Sequence, residues 1–393
     1  MVEWLSIIGL GEDGPEGLGK ASRDALAAAE VVVGAPRHLA MVDHPDKRAW
    51  PVPFSLAPVL ALRGRRVAVL ASGDPFWHGA GGTLAAALAP GEWRAHPAPS
   101  VISLAAARLG WRLEEVLVLG LHAAPLARLR PHLVPGLRAI VTLRDGAAAG
   151  DLARWLAAEG FGPSRLVAME RLGGPAERLD DTTAAALVAG GIGPLVTVAL
   201  EVAGTGRTIA RCSGLDDAVF DHDGQITKRP VRALALSALA PRAGELLWDI
   251  GAGSGSIGIE WLLAHPQTRC IAIEADAARA ARARANADRL GADRLDLRLG
   301  RAPEVLPALP DPQAVFVGGG ADPALMEALW HRLPPGCRLV AHAVTLETET
   351  LLATLHARHG GSLLRIELSQ AARLGRRRGW RAQYPVVQWA VTR

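Results

Sequence analysis

Two glycine loops, far apart in the chain and unlike each other, constrain this sequence more than any other feature. The first is Ile7-Ile8-Gly9-Leu10-Gly11-Glu12-Asp13-Gly14, and the second runs Leu246-Leu247-Trp248-Asp249-Ile250-Gly251-Ala252-Gly253-Ser254-Gly255-Ser256. Each follows an apolar run with the look of a buried strand. Glycine permits positive φ and lets a ligand reach bare backbone, and a helix that starts at once offers free amide groups to that ligand. At 393 residues the chain is long enough for two ordinary domains. Because the loops are not copies, the chain is expected to be a fusion of unlike domains rather than a repeat.

Apolar β-branched runs alternate throughout with Ala/Leu-rich helical stretches, the pattern of α/β domains. Strands are expected at Leu5–Gly9, Val31–Val33, Val67–Ala71, Val116–Leu119, Ala139–Leu143 and Leu195–Leu200, then at Leu246–Ile250, Cys270–Ile273, Leu295–Leu297, Ala314–Val317, Arg338–Ala341 and Leu363–Leu368. Between Glu201 and Lys228 the apolar runs give way to a polar stretch, which sets the expected domains at 1–205 and 226–393 with a linker at 206–225. Thr182–Leu200 carries no charge, but Gly190, Gly191, Gly193 and Pro194 interrupt it. It is expected to be a helix end, a turn and a buried strand, not a membrane span.

Composition excludes several classes. Half of the residues are apolar and 21% charged, so a sizeable core is available. Cys212, Cys270 and Cys337 are widely spaced, which leaves no cysteine zinc site or disulfide framework and suits a reducing cytoplasm. The stretch Met1–Gly19 lacks a basic leader region and contains acids, so no signal peptide is expected. The net charge is +4, yet Lys stands only at 20, 47 and 228, the remaining basic residues being Arg. A GC-rich coding bias explains that excess as well as a multi-carboxylate ligand does, since guanidinium pairs with carboxylate through two parallel bonds.

The second loop lacks the closing G-K-[ST] of a P-loop, and Ser256 breaks the dinucleotide pattern G-x-G-x-x-G. Glu274, at the end of the next strand, is spaced to hold a ribose diol, as in both nicotinamide and S-adenosylmethionine sites. Asp249 favours the second, because a sulfonium tolerates a nearby carboxylate better than a pyrophosphate does. Val317-Gly318-Gly319-Gly320 after the fourth strand supplies space and no hydrogen-bond acceptor. That spacing suits carbon as the methyl acceptor and a large, flat substrate over Gly318 and Gly319.

Ile226-Thr227-Lys228, the Gly251–Gly255 loop, Gly300-Arg301-Ala302-Pro303-Glu304, Val317-Gly318-Gly319-Gly320 and Ala343-Val344-Thr345-Leu346-Glu347-Thr348 together resemble the precorrin-8w decarboxylase/methyltransferase family. The resemblance implies a class I Rossmann-like methyltransferase fold. It also implies a cofactor site lined by Thr227, Asp249, Gly251, Ala252, Gly253, Ser254, Gly255, Glu274 and Ala302. In the first half, Gly9 and Gly11, then Ser72-Gly73-Asp74-Pro75, then Pro97-Ala98-Pro99-Ser100 resemble the tetrapyrrole methylase family, whose fold is different. There the resemblance assigns Gly9, Gly11, Gly73, Asp74, Pro75 and Ser100 to the cofactor. Val33-Gly34-Ala35-Pro36-Arg37-His38-Leu39 and Leu119-Gly120-Leu121-His122 resemble its precorrin-6Y C5 branch. His38 and His122 are as readily structural histidines as functional ones.

The fusion in this order is similar to the precorrin-6Y C5,15-methyltransferase (decarboxylating) family. That implies two S-adenosylmethionine molecules per chain, methylation of two bridging carbons and loss of CO₂ from an acetate arm, with no metal. The expected partner is an anionic tetrapyrrole, with a homo-oligomeric, cytoplasmic chain and neither nucleic acid nor membrane involved. The run Arg373, Arg376, Arg377, Arg378 and Arg381, with Trp380 and Tyr384, is either a solvated surface or a grip on the carboxylate arms, with Arg377 and Arg378 as its centre. Three rivals stay open. They are a nicotinamide oxidoreductase, an RNA methyltransferase drawing on the arginine excess, and a non-catalytic corrinoid-binding protein.

Overall fold

The computed structural model describes residues 3–188 and 190–393. They fall into two compact units, one of the chain up to Ala124 with Val134–Arg207, the other of Pro125–Leu133 with Thr208–Arg393.

In the first unit β1 (Leu5–Leu10), β2 (Val31–Gly34), β3 (Lys47–Ala49), β4 (Val67–Ser72) and β5 (Trp93–His96) form a parallel sheet in the order β3-β2-β4-β1-β5. Its helices are α1 (Lys20–Ala28), α2 (Pro36–Met41), α3 (Ala57–Leu60), α4 (Ala80–Ala87) and α5 (Val101–Leu109). Both faces of β1 are covered, which is why it is apolar at successive positions rather than alternating. Leu5 and Ile7 pack with Val69 and Leu84, while Ile8 and Leu10 pack with Leu18, Leu39 and Leu70. A second, mixed sheet follows: β6 (Leu117–Gly120), β7 (Arg138–Thr142), β8 (Arg165–Glu170), β9 (Arg178–Thr183) and β10 (Val196–Glu201), in the order β6-β7-β10-β8-β9, with α6 (Gly146–Ala158) against it.

The second unit contains α7 (Arg229–Leu239), β11 (Leu246–Ile250), α8 (Ser256–Ala264), β12 (Arg269–Glu274), α9 (Ala277–Arg289), β13 (Asp296–Leu299), β14 (Ala314–Val317), α10 (Pro323–Arg332), β15 (Arg338–Ala343), α11 (Leu346–His359), β16 (Ser362–Ile366), β17 (Ser369–Leu374), β18 (Arg377–Ala382) and β19 (Val386–Thr392). The main sheet runs β13-β12-β11-β14-β15-β19-β16, parallel up to β15, with β19 antiparallel to both β15 and β16. Leu247 and Phe316 face one core with Ile257 and Trp261 of α8, and Trp248 and Val317 face the other with Leu325, Leu329 and Leu352. Strand order reverses between β11 and β14, the switch point at which open α/β sheets bind ligands.

Both halves are α/β, and the expected central strands lie where the apolar runs placed them. The uncharged segment differs from expectation. Arg178–Thr183 is the edge strand β9 and Ala184–Ala186 a turn, so no helix end precedes the glycines. Ala189 lies outside the described residues, as do Met1 and Val2 of the expected leader-free start. The strand at Leu195–Leu200 is present as β10. Among the described residues no helix is long and apolar enough to cross a membrane.

From Thr208 onward the stretch expected as a linker, 206–225, is folded into the second unit. Ile209, Leu215, Val219 and Phe220 join its core. Arg232, with no exposed surface, donates from Nε to Glu260 Oε1 at 2.5 Å and from Nη2 to the Leu215 carbonyl at 2.5 Å. Glu260 in turn accepts from the Gly214 and Leu215 amides at 2.6 and 2.9 Å. Removing Glu260 leaves the buried Arg232 charge with only the more exposed Asp217, 3.0 Å from Nη2, to offset it. Glu260→Ala should therefore lower unfolding stability by about 3–5 kcal/mol, measured by urea denaturation; a loss below about 1 kcal/mol would show that the pair holds nothing.

Candidate active sites

A cavity of about 1200 Å³ opens at the switch point of the second unit. It is larger than the roughly 300–1,000 Å³ of most ligand pockets. Gly251 and Gly253 turn its floor with φ of 72° and 58°, while Gly255, φ 77°, continues the turn outside the cavity wall and faces Ala283 of α9; L side chains rarely adopt such values. Gly255 is also the N-cap of α8 and supplies no side-chain bond; in its place the Asp249 carboxyl accepts from the first-turn amide of Gly258. A Cβ at Gly251 would stand 3.1 Å from the Gly319 carbonyl, which shows how closely the two glycine runs meet. Gly318 and Gly319 line the wall, and space beside Gly319 is open.

Asp249 also lines this cavity, accepting from the Gly258 amide at 3.0 Å. Burial pushes its carboxyl up from 3.8 to about 7, against the Gly258 hydrogen bond and helped by the Glu274 charge. Glu274 itself lies just behind the wall, accepting from the Gly253 amide at 2.8 Å and the Asp276 amide at 2.9 Å. It thus ties the glycine loop to the end of β12. Thr227, Ala252 and Ser254 line the cavity, whereas Ala302 packs beside the core away from it.

The far wall comes from the β17–β18 hairpin. Arg381 and its cross-strand partner Gln370 line the cavity, together with Gln383 and Tyr384. Side chains alternate along a strand, so Arg377 shares the face of Arg381, but nearer the hairpin tip, and Arg378 shares the opposite face with Trp380. Neither Arg377 nor Arg378 is part of the cavity wall. His342 is a wall residue that the sequence did not single out. It is buried, its Nε2 lies 2.9 Å from Gln388 Oε1, and its ring meets Phe316 edge-on at 4.9 Å. Burial holds its pKa below the ordinary histidine value. Its partner sits in β19, whose apolar run is interrupted by that same Gln388.

A second cavity, of about 360 Å³, lies in the first unit. Gly11, Gly73, Asp74 and Ser100 line it. Gly9 and Pro75 shape it from behind: a Cβ at Gly9 would collide with the Gly73 carbonyl oxygen, and the Pro75 carbonyl accepts the Gly81 amide at 3.0 Å. The Ser100 hydroxyl caps α5, accepting from the Ser103 amide at 3.1 Å. Arg37 bridges Glu12 at 2.6 Å and the Ser72 hydroxyl, which also approaches His38 Nε2 at 3.4 Å. Burial, then the Arg37 charge, lowers the His38 pKa to about 4, so that ring is neutral. His122 stands in the cavity wall with Nδ1 3.4 Å from the Thr142 hydroxyl. Among the described residues, no group of His, Cys, Asp and Glu is placed to hold a metal ion.

Residues 5–188 match the family described as tetrapyrrole (corrin/porphyrin) methylases, and residues 218–393 match the precorrin methyltransferase domain. Over 99% of its length the chain is 49% identical to a precorrin-6Y C(5,15)-methyltransferase [decarboxylating] from Sinorhizobium sp, covering 96% of that protein. This chain belongs to the precorrin-6Y C(5,15)-methyltransferase family. A protein of the same name from Mycobacterium tuberculosis (strain CDC 1551 / Oshkosh) is 40% identical over 99% of the chain and all of the relative. The solved C-terminal domain of the Rhodobacter capsulatus precorrin-6Y C5,15-methyltransferase is 54% identical, covers 47% of this chain and all of its own, and aligns with a TM-score of 0.46.

Within the family's second domain, the raised Asp249 pKa makes stability depend on pH. Below pH 4 Asp249 is protonated in both folded and unfolded chains. Between about 4 and 7 the unfolded chain releases this proton while the folded one keeps it, so stability falls as pH rises and the loss is complete above 7. Relative to Asp249→Asn, the cofactor-free protein should lose on the order of 2–4 kcal/mol between pH 4 and pH 7.5. Parallel pH profiles in urea unfolding would contradict this.

Proposed function

We propose that the chain performs both methylations and the decarboxylation for which its relatives are named, binding one S-adenosylmethionine in each cavity. The first unit would methylate C5 of the macrocycle, and the second would methylate C15 and release CO₂. The observation that carries this reading is the large cavity at the switch point, which joins the Gly251–Gly255 loop to the open Gly318–Gly319 platform. Such a volume accommodates a cofactor and a flat macrocycle together.

The residues fit S-adenosylmethionine. The Gly251–Gly253 turn brings bare backbone to the cavity, Glu274 holds that loop, and the buried carboxyl of Asp249 lines the same wall. When bound, the cofactor supplies a methyl group already activated on a sulfonium. The protein then needs chiefly to hold donor and acceptor in line, which explains walls richer in glycine than in acids and bases. Arg381, Lys228 and Arg229 on the wall suit the carboxylate arms of the substrate. An acetate held against apolar Phe316, Val344 and Ile366 loses hydration, which favours release of CO₂ as the electron pair of the broken C–C bond passes into the conjugated ring.

The rival readings fit less well. A nicotinamide enzyme has no use for a second, unlike glycine-loop cavity, and an RNA methyltransferase has none for the first unit.

Mass analysis of the product from precorrin-6Y tests the division of labour. The wild type should add two methyl groups and lose one CO₂. Gly319→Val places a branched side chain into open cavity space on backbone that accepts it. This variant should fold with stability within about 0.5 kcal/mol of wild type. Its product should gain one methyl group and keep the carboxylate. A variant that still decarboxylates, or loses both methylations, would contradict the assignment.

A further inference from the structure

The cavity of the first unit, at about 360 Å³, suits one nucleoside-sized molecule and leaves no room for a macrocycle beside it. A ring substrate therefore has to lie across the mouth. Leu10, Gly73, Met169 and Val196 are buried and form the floor, while Trp77, His78, His122 and Arg171 are exposed around the opening.

Two of these rim residues share an unusual property. His78 and Arg171 have φ of 51° and 47°, and among the described residues the other non-glycine with positive φ is Ala240, which lines neither cavity. Left-handed backbone is costly for a side chain with a Cβ, and such strain persists where the position is held for a purpose. The His78 ring is also given its room. A Cβ at Gly120 would lie 2.5 Å from His78 Nε2. The ring sits edge-on between Trp77 and His122, with centroids 5.0 and 5.1 Å away. The Arg171 backbone is fixed by its amide to the Leu195 carbonyl at 3.1 Å and by the Gly174 amide to its own carbonyl at 3.1 Å. Its guanidinium has no carboxylate partner among the described residues, whereas Arg37, Arg108, Arg165 and Arg178 of the same unit are each paired with an acid.

We propose that Trp77, His78, His122 and Arg171 form the recognition rim for the acceptor at the first site, a flat macrocycle bearing carboxylate arms. The ring rests on the aromatic edges, and one arm pairs with the Arg171 guanidinium. This rests on the functional reading above. It adds where the macrocycle sits at the first site and what holds it.

Glycine is at home at positive φ, so Arg171→Gly and His78→Gly remove the recognising groups while relieving strain. Both variants of the full-length protein should keep or raise the Tm and keep S-adenosylmethionine affinity at the first site. Their KM for precorrin-6Y in C5 methylation should rise about tenfold or more with kcat little changed, and Arg171→Gly should flatten its salt dependence. Gly120→Ala, which displaces the His78 ring without substituting any rim residue, should raise KM in the same direction. A raised Tm with an unchanged KM would overturn the proposal. A second measurement needs no turnover: uroporphyrin binding followed by fluorescence in the Gly319→Val background, where the first site reports alone. Arg171→Gly should weaken that binding about tenfold, and equal affinity would sink the rim. A wild type that never methylates C5 but whose uroporphyrin affinity depends on Arg171 would sink the functional reading and leave the rim standing.

Discussion

Each cavity exists because two stretches of main chain approach with no side chain between them. In the first unit β1 and β4 are neighbours in register, Gly9 opposite Ala71, and Gly9 meets the Gly73 carbonyl where the strands end. In the second, Gly251 faces Gly319 across the switch point between β11 and β14. Any Cβ at Gly9 would push the two loops apart and open the floor of the site. The same closeness explains why catalysis here relies on placement. A site walled by backbone offers amides and shape, and an activated methyl donor asks for little more.

The cavity of the second unit depends in addition on a segment that looks at first like a spacer. Arg232 and Glu260 clamp Gly214 and Leu215 to α8, and a further Arg232 hydrogen bond goes to the Thr227 carbonyl. Asp216, Asp217, Thr227 and Lys228 reach the cavity wall through that clamp. A buried ion pair is poor value as plain stabilisation. Here it fixes the path of a polar chain that has few apolar anchors of its own.

Much of this was legible in the sequence, and for physical reasons. Continuous apolar runs such as Leu5–Leu10 and Leu246–Ile250 mark strands covered on both faces, and the glycines that follow mark the two cavities. Polar strands were not legible. The run Val386–Thr392 is broken by Gln388, a residue whose burial makes sense only beside His342 in the neighbouring strand. The segment Arg373–Arg381 shows no apolar periodicity, yet it folds as a hairpin that brings Arg381 to the cavity, turns Arg378 to the other face and carries Arg377 nearer the tip. Ile209, Leu215, Val219 and Phe220 are too scattered to signal a core; polar ties to distant residues bring them into one, the Arg232–Glu260 pair and the bonds of Asn286 and Arg289 to the Asp221 and Val219 backbone among them. The rim of the first cavity was hidden for another reason. No sequence pattern announces that a histidine or an arginine will sit on left-handed backbone.

On the proposal above, one chain houses two unlike methyl-transfer sites that work separately. Calorimetric titration of the full-length protein with S-adenosylmethionine tests it most directly. Two equivalents per chain are expected, with Glu274→Ala weakening one binding event and sparing the other. A single equivalent, or the loss of both events in that variant, would contradict the two-site chain.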